Sequence, residues 1–281
     1  MAGSTTTTHS DYRPVVWAAD TLDYLKKNLV VADVVDRYDD QVKEYGQSVK
    51  IAPFSTSGAA RDLAQGTDVT FDSATETAVT LAINKWKYKA HQIFNMLNVQ
   101  SKYNLRQKYT KDAAYVLKDA IDIDCVAALA AAVAAGGAGF SIAAAATGLT
   151  DSKIRQARQI LGEQNVTEWN EVFLLVNPDG LNDIFAETRY SSSDFVMQDN
   201  GKPVVSGQPA APYGVQVRVS NNCPAGKAYM FHKETVALAL QQDVKVTGWD
   251  NVRSGAFEQR SDVIYGVTNQ RNNTCVEINF V

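Results

Sequence analysis

Neither glycine nor proline occurs between Leu105 and Ala135, a stretch much longer than an average globular helix. Apolar residues recur in it at spacings of three and four, which is the period of one helix face. The members of that face are Leu105, Tyr109, Ala113, Val116, Leu117, Ala120 and Ile121. The pattern predicts one α-helix about 40 Å long, ending at Gly136 and Gly137. Such a helix indicates an extended subunit shaped to contact neighbouring molecules.

Just before this stretch, side chains alternate with the period of two that is typical of a β-strand. One face of the predicted strand carries Lys85, Lys87 and Lys89. The other face carries Trp86 and Tyr88. Three like charges in a row are not buried without partners, so the lysines either form a solvated face or lie opposite acidic residues of an adjacent subunit. We take all five residues as candidate contacts between subunits.

The overall composition is that of an ordinary globular protein, with 281 residues of which 45% are hydrophobic and 21% charged. A net charge of −4 argues against a protein that coats nucleic acid by bulk electrostatic attraction. The cysteines Cys125, Cys223 and Cys275 lie far apart and form no C-x-x-C pair. We interpret them as reduced, mostly buried thiols, and we expect no zinc site.

The sequence contains no recognisable motif for catalysis or cofactor binding. None of its three histidines lies in an H-E-x-x-H pattern, and no G-x-x-x-x-G-K-[ST] phosphate-binding loop occurs. Asp119, Asp122 and Asp124 suggest a metal cluster on the long helix, but charge on a solvated helix surface is the favoured interpretation. We therefore expect no catalytic residue, no cofactor and no metal, and the chain is not expected to be an enzyme.

Residues 125–150 carry no charge and are long enough to cross a bilayer. They consist mostly of alanine with interspersed glycine, and large apolar side chains are too few to drive insertion. The threonine-rich segment Met1–Ser10 has no apolar core and so does not resemble a secretory signal. We expect no membrane partner.

The order of predicted elements indicates an α+β chain. Residues 17–28 predict a short amphipathic helix. Residues 46–92 predict one long hairpin of low hydrophobicity, which must lie along another part of the chain or along a neighbour. Thr150 is placed to cap a helix, and the wholly apolar run Val172–Val176 predicts a central strand. Alternating apolar residues near the C-terminus predict a strand that pairs into a sheet.

Several segments, taken in order, resemble one protein family. They read YGQSVKIAPF, AVTLAINKWKYKAHQI, LRQKYTKDAAYVLKDAIDIDCVAALA, VFLLVNPDGLNDIF and PYGVQVRVSNNCPAG. In this order they are similar to the major capsid proteins of tailed double-stranded DNA bacteriophages, which have the Hong Kong 97-like fold, also called the Johnson fold. The resemblance covers nearly the whole chain and depends on the order and wording of several segments rather than on one motif.

The resemblance implies a division of the chain into five parts. These are an N-terminal arm (1–45), an extended loop built as a long β-hairpin (46–92), a peripheral domain with a long spine helix (93–137), an axial domain (138–229), and C-terminal strands that return to the peripheral domain (230–281). Adaptation to different positions in a shell is expected in residues 1–16 and 46–92.

The resemblance also implies partners and a location. Capsid subunits of this family form hexamers and pentamers of an icosahedral shell that encloses packaged genomic DNA in the virion, after assembly in the host cytoplasm. Because this sequence begins almost directly at the arm, a separate scaffold protein is expected, together with a portal and, where one is used, a decoration protein.

Two other functions remain open at this point. An encapsulin-like shell that encloses a protein cargo shares the fold. An ordinary α/β binding protein, with residues 138–229 carrying the site, would be a monomer on a sizing column.

Overall fold

A computed structural model of the chain describes most residues from Lys26 onward. The described residues are 26–27, 29–43, 45–52, 60–62, 65–66, 68–69, 71, 78–100, 105–145, 147–191 and 212–281. The helix predicted over residues 17–28 lies almost entirely outside them, as does most of the turn region of the predicted hairpin.

The described residues form seven α-helices and eleven β-strands. The helices are α1 (Val31–Val34), α2 (Asp39–Val42), α3 (Asn95–Gln100), α4 (Leu105–Gly136), α5 (Asp151–Glu163), α6 (Pro178–Ala186) and α7 (Thr188–Ser191). The strands are β1 (Asp36–Arg37), β2 (Ser48–Ile51), β3 (Val79–Ala82), β4 (Lys85–Phe94), β5 (Ser141–Ile142), β6 (Val172–Val176), β7 (Gln216–Val219), β8 (Lys227–His232), β9 (Val236–Asn251), β10 (Ala256–Asn269) and β11 (Cys275–Asn279).

The predicted long helix is confirmed as α4, which has 32 residues. It ends where predicted, because Gly137 adopts a left-handed φ of 95° and its N–H bonds to the carbonyl of Val133 at 3.2 Å. Leu117 and Ile121 are buried as predicted, but Val116 is 38% exposed. Although α4 is long, none of the helices in the described residues has the length and apolar character needed to cross a membrane.

The first sheet has the strand order β1-β9-β10-β4 and lies against α4. Gln259 of β10 donates a hydrogen bond to Thr110 of α4 at 2.8 Å. His91 of β4 stacks on Tyr109 of α4, with ring centroids 4.8 Å apart. These contacts fix one face of the sheet against the helix, while Val42 of α2 and Leu81 of β3 pack on part of the opposite face, against Ala237 and Ala239 of β9.

The predicted hairpin over residues 46–92 is shorter than expected. β2 pairs only with β3, in the register Ser48–Ala82 to Ile51–Val79. β4 does not continue this hairpin and instead pairs antiparallel with β10 along ten residue pairs. The chain breaks between Ala82 and Lys85, so the strand predicted as continuous before the long helix is two strands in two different sheets.

The second sheet has the strand order β5-β11-β8-β6-β7. Its buried side chains belong to the main hydrophobic core. All five residues of β6 are buried, which confirms the predicted central strand. Helix α5 starts after Thr150 as predicted, but the Thr150 hydroxyl contacts the Ser152 hydroxyl rather than a backbone N–H. The face of α5 that carries Ile154, Ala157 and Leu161 is fully buried.

The C-terminal strands divide between the two sheets. β9 and β10 lie in the first sheet against α4, as expected for strands that return to the helix. The last strand, β11, pairs with β8 and β5 in the second sheet, and the return of the C-terminal strands to the peripheral domain stays a prediction. Alternation in the sequence identifies a strand but carries no information about its pairing partner. The exact domain boundaries stay predictions.

Candidate functional site

The lysine face of β4 is directed toward α4 within the same subunit. Lys85 Nζ lies 3.0 Å and Lys87 Nζ 2.9 Å from Oδ2 of Asp124. The Tyr265 hydroxyl of β10 donates to the same oxygen at 2.6 Å. The expectation that this row is either solvated or opposite a neighbour's acidic residues therefore needs revision for two lysines, because each has an acidic partner in its own chain.

The third lysine, Lys89, is half-buried on the same face. It lies near His91, whose imidazole pKa is lowered by burial and, to a smaller extent, by the positive charge of Lys89. The Lys89 side chain forms no hydrogen bond or ion pair with another residue that the structure describes, so its role in subunit contact stays a prediction.

The carboxyl group of Asp124 makes the contact between β4, β10 and α4 sensitive to acid. Burial opposes its ionisation, but hydrogen bonds from Tyr265, Lys87 and Lys85 outweigh burial and hold its pKa below the ordinary value of 3.8. A carboxylate with a lowered folded-state pKa stabilises the fold above its unfolded-state pKa, and this stabilisation is lost as the pH falls through the folded-state value.

We expect Asp124→Asn to have a lower free energy of unfolding than the wild type at neutral pH. The difference in unfolding free energy between the two proteins is expected to narrow below about pH 4. Urea midpoints measured at several pH values test this. A difference in urea midpoint that stays constant down to the lowest pH measured would contradict the assignment of this stabilisation to the Asp124 carboxylate.

Asp122 and Asp119 of α4 contact the N-terminal segment of the chain. Asp122 is fully buried, and its Oδ1 accepts hydrogen bonds from the backbone N–H groups of Val31 at 2.8 Å and Ala32 at 3.2 Å. Its Oδ2 accepts from Asn222 Nδ2 at 2.9 Å. The interpretation of this residue as solvated helix charge is wrong, because its carboxylate caps α1 inside the subunit.

Asp119 continues the same attachment toward the N-terminal segment. Its Oδ1 accepts from Asn222 Nδ2 at 2.8 Å, and its Oδ2 lies 3.9 Å from Lys27 Nζ. Lys27 Nζ also donates to Asn222 Oδ1 at 3.0 Å. Asp119 and Asp122 share the side-chain amide of Asn222, whereas Asp124 binds side chains of β4 and β10, so the three carboxylates do not all converge on one point.

One group of ligand-type side chains does converge in the part of the chain that the structure describes. One donor atom from each of Glu168, Glu171 and His232 lies within 4.8 Å of the others. However, His232 Nδ1 accepts a hydrogen bond from the backbone N–H of Glu234 at 3.3 Å. Neutral His232 then carries its proton on Nε2, the nitrogen 3.7 Å from Glu171. A metal-bound histidine shows the reverse pattern, with the second nitrogen donating, and the 3.7 Å separation from Glu171 is too long for a hydrogen bond.

The aromatic face of β4 forms the outer surface of the first sheet. Trp86 is 63% and Tyr88 68% exposed, and together with Arg260 they line a cavity of about 280 Å³. Trp86 Nε1 donates to Asp262 Oδ2 at 3.1 Å. The Arg260 guanidinium lies 5.8 Å from the centre of the Trp86 ring. Large exposed aromatic side chains beside a charged group are typical of a protein interface.

Two polar atoms next to this cavity have no hydrogen-bond partner in the described part of the chain. They are Nε of Arg260 and Oδ1 of Asp262, both buried and 3.7 Å apart. Sequence reasoning found Trp86 and Tyr88 but missed Arg260 and Asp262. These two residues come from β10, and only the pairing of β10 with β4 brings them to the same surface.

A sequence model of the family described as phage capsid protein matches residues 35–281. A search of curated proteins found no match.

Several solved phage structures are similar to this fold. The structure titled Mycobacterium phage Che8 is 21% identical, covers 95% of this chain and 97% of its own, and has a TM-score of 0.79. The capsid structure of cyanophage P-SCSP1u is 15% identical over 100% of this chain and 95% of its own, with a TM-score of 0.81. The mature capsid of bacteriophage PhiM1 is 11% identical, covers 99% of this chain and 95% of its own, and has a TM-score of 0.76. At these identities the likeness establishes a shared fold.

Proposed function

This chain belongs to the phage capsid protein family, and from that premise we propose that many copies of it form the closed icosahedral shell around the packaged double-stranded DNA of a tailed phage. The observation that carries this proposal is the family match over residues 35–281. The Hong Kong 97-like fold expected from the sequence is confirmed, because the chain matches capsid structures of similar length over nearly all of its own length. The family favours a phage shell over a cargo-enclosing shell or a monomeric binding protein.

The function of a shell subunit is mechanical. It buries area against its neighbours, in positions of both five-fold and six-fold symmetry, and resists pressure from the packed genome. In support, several large apolar side chains of the described residues are exposed and available for burial against neighbours. They include Trp86, Tyr88, Phe94, Trp249 and Val252.

The parts of the subunit are assigned by the family resemblance. Residues 1–45 form the arm, 46–92 the extended loop, 93–137 the peripheral domain and 138–229 the axial domain, with 230–281 completing the sheets. The outer face of β4, with Trp86 and Tyr88, and the half-buried Lys89 are contacts to a neighbouring subunit in this proposal. Lys85 and Lys87 act inside the subunit, where they position that strand on α4.

The proposal includes partners outside the chain. A separate scaffold protein guides assembly in the host cytoplasm, a portal occupies one vertex, and a decoration protein binds outside where one is used. Genomic DNA lies against the interior. The net charge of −4 supports DNA that is confined by the closed shell rather than neutralised by its subunits.

Analytical ultracentrifugation of purified full-length protein, with scaffold supplied, tests this function. Capsomers or shells are expected to sediment well ahead of a 30.6 kDa monomer. Sedimentation as the monomer alone under all assembly conditions would contradict it.

Tyr88→Ala tests the aromatic surface separately. Because this side chain is 68% exposed, the subunit is expected to melt within a few degrees of the wild type. Shell yield is expected to fall at least tenfold, since truncating a buried interface aromatic costs about 2 kcal/mol. Tyr88→Phe is the matched control, because it keeps the ring and is expected to assemble normally. Wild-type shell yield from a folded Tyr88→Ala subunit would exclude this surface from assembly.

A further inference from the structure

The first turn of α5 contains a buried lysine that none of the contacts described above explains. Lys153 is only 6% exposed, although lysine is almost never fully buried unless its charge is paired. It also lies near the N-terminus of α5, where the helix dipole disfavours a positive charge. Its ammonium group therefore requires strong compensation from its surroundings.

That compensation comes from the backbone. Lys153 Nζ donates to the carbonyl oxygens of Ala144 at 2.5 Å, Gly148 at 3.1 Å and Asn279 at 3.2 Å. The carbonyl of Thr147 also accepts from it. We call this group of four oxygens the carbonyl nest. The carbonyls satisfy all N–H groups of the ammonium without a carboxylate in contact.

The nearest acidic side chain that acts on the ammonium is not one of its hydrogen-bond partners. Burial lowers the pKa of the Lys153 ammonium group, and the negative charge of Asp183 partly opposes that lowering. Its carboxylate, however, accepts the backbone N–H of Leu149 at 2.7 Å. A methyl group on Gly148 would lie 2.6 Å from the same carboxylate, so this side of the loop is tightly packed.

The loop that supplies most of the nest has an unusual backbone. Ala145 adopts a left-handed φ of 52°, a conformation that residues with a Cβ rarely take. Such a conformation persists only where the surrounding contacts over-determine it. Here the bend helps bring the carbonyls on either side of Ala145 toward the Lys153 ammonium.

A cluster of main-chain carbonyl oxygens is the ligand set that proteins use for monovalent cations such as potassium. Calcium and magnesium sites are built instead mainly from carboxylates and water, and the nest holds no carboxylate. We infer that the nest is a monovalent-cation site that the chain fills with its own ammonium group, and that this internal cation fastens the last strand to α5.

The attachment matters because of where Asn279 lies. It is the final residue of β11, and only this carbonyl of the nest comes from outside the loop at 144–148. The next residue, Phe280, donates its backbone N–H to Gly226 at 2.9 Å. Loss of the cation is expected to free the end of β11 and expose the Phe280 amide to solvent.

Removal and replacement of the ammonium test the inference on the full-length subunit. Lys153→Ala is expected to lower the melting temperature by about 5–10 °C and to abolish protection of the Phe280 amide in hydrogen exchange. n-Propylammonium chloride, which fits the vacated channel, is expected to restore at least half of both losses. Tetramethylammonium chloride at the same ionic strength has no N–H group and is expected to restore neither.

Two further variants separate the charge from the packing. Lys153→Met keeps most of the alkyl chain but carries no charge, so it is expected to lose similar stability and to gain nothing from n-propylammonium, because its side chain fills the channel. Lys118→Ala removes an exposed lysine of α4 and is expected to change nothing.

The outcomes are decisive in either direction. A Lys153→Met protein as stable as the wild type would overturn the inference, as would equal effects of the two salts on Lys153→Ala. If Lys153→Ala is insoluble, its refolding yields in the two salts are compared instead. A higher yield in n-propylammonium supports the inference, and equal yields overturn it.

Discussion

Replacing Asp122 with alanine is expected to detach the N-terminal segment from α4 and to lower the free energy of unfolding by about 3–5 kcal/mol. The fully buried carboxylate is the acceptor for the backbone N–H groups of Val31 and Ala32 and for the side-chain amide of Asn222. Alanine leaves the backbone N–H groups of Val31 and Ala32 without this acceptor, whereas Asn222 keeps Asp119, and each unsatisfied buried donor costs about 1–3 kcal/mol.

Urea unfolding measures the loss of stability, and limited trypsin digestion measures the detachment, because Lys26 and Lys27 precede the capped helix. Asp112→Ala is the matched control. It removes an aspartate of the same helix, but one that is half exposed and 3.9 Å from Lys26, so less than about 0.5 kcal/mol is expected. Equal stability and equal cleavage of the two variants would show that the Asp122 cap does not hold the segment.

Gly266→Ala is expected to separate the short hairpin of β2 and β3 from the first sheet. A Cβ atom at Gly266 would lie 2.3 Å from the carbonyl oxygen of Ala82 and 3.2 Å from the Cα of Ile83. Both are backbone atoms that cannot rotate away, so the chain itself must move. Overpacking of this kind costs about 3 kcal/mol, and the displacement would expose the fully buried Leu81.

Differential scanning calorimetry and hydrogen exchange of the Leu81 region are the measurements. Gly139→Ala provides the control, because a Cβ there meets nothing within 4 Å and the backbone has no left-handed φ. Equal melting temperatures and equal hydrogen-exchange protection at Leu81 in Gly266→Ala and Gly139→Ala would show that the fold does not require the close approach of the Gly266 and Ala82 backbones.

Features that depend on local pattern were predictable from the sequence. The absence of helix breakers and the three-and-four spacing define α4, and the wholly apolar run Val172–Val176 defines a central strand. Alternation around Trp86 correctly separated the lysine face from the aromatic face of β4. Each of these depends on residues that are neighbours in the chain, so the physical cause is visible in the sequence.

Features that depend on strand pairing were not predictable. Alternation shows that β4 and β11 are strands, but hydrogen bonds between strands are made by backbone groups that every residue shares. The pairing of β4 with β10 brings Arg260 and Asp262 to the aromatic surface, and the pairing of β11 with β8 places the chain end in the second sheet.

The burial of two charged side chains, Asp122 and Lys153, was not predictable for a related reason. Asp122 looks like a solvated side chain because Lys118 lies four residues before it on the helix, and Lys153 because charged side chains are mostly exposed. Their partners are largely main-chain groups, N–H for the aspartate and C=O for the lysine. Main-chain partners leave no trace in residue identity, so only the folded chain reveals them.

Electron microscopy of the purified full-length protein, assembled with a scaffold, is the most direct test of whether this chain builds a capsid. Closed icosahedral shells are predicted, with the chain at both five-fold and six-fold positions and a neighbouring subunit covering Trp86 and Tyr88. Folded protein that gives only monomers or open, irregular aggregates would contradict the account.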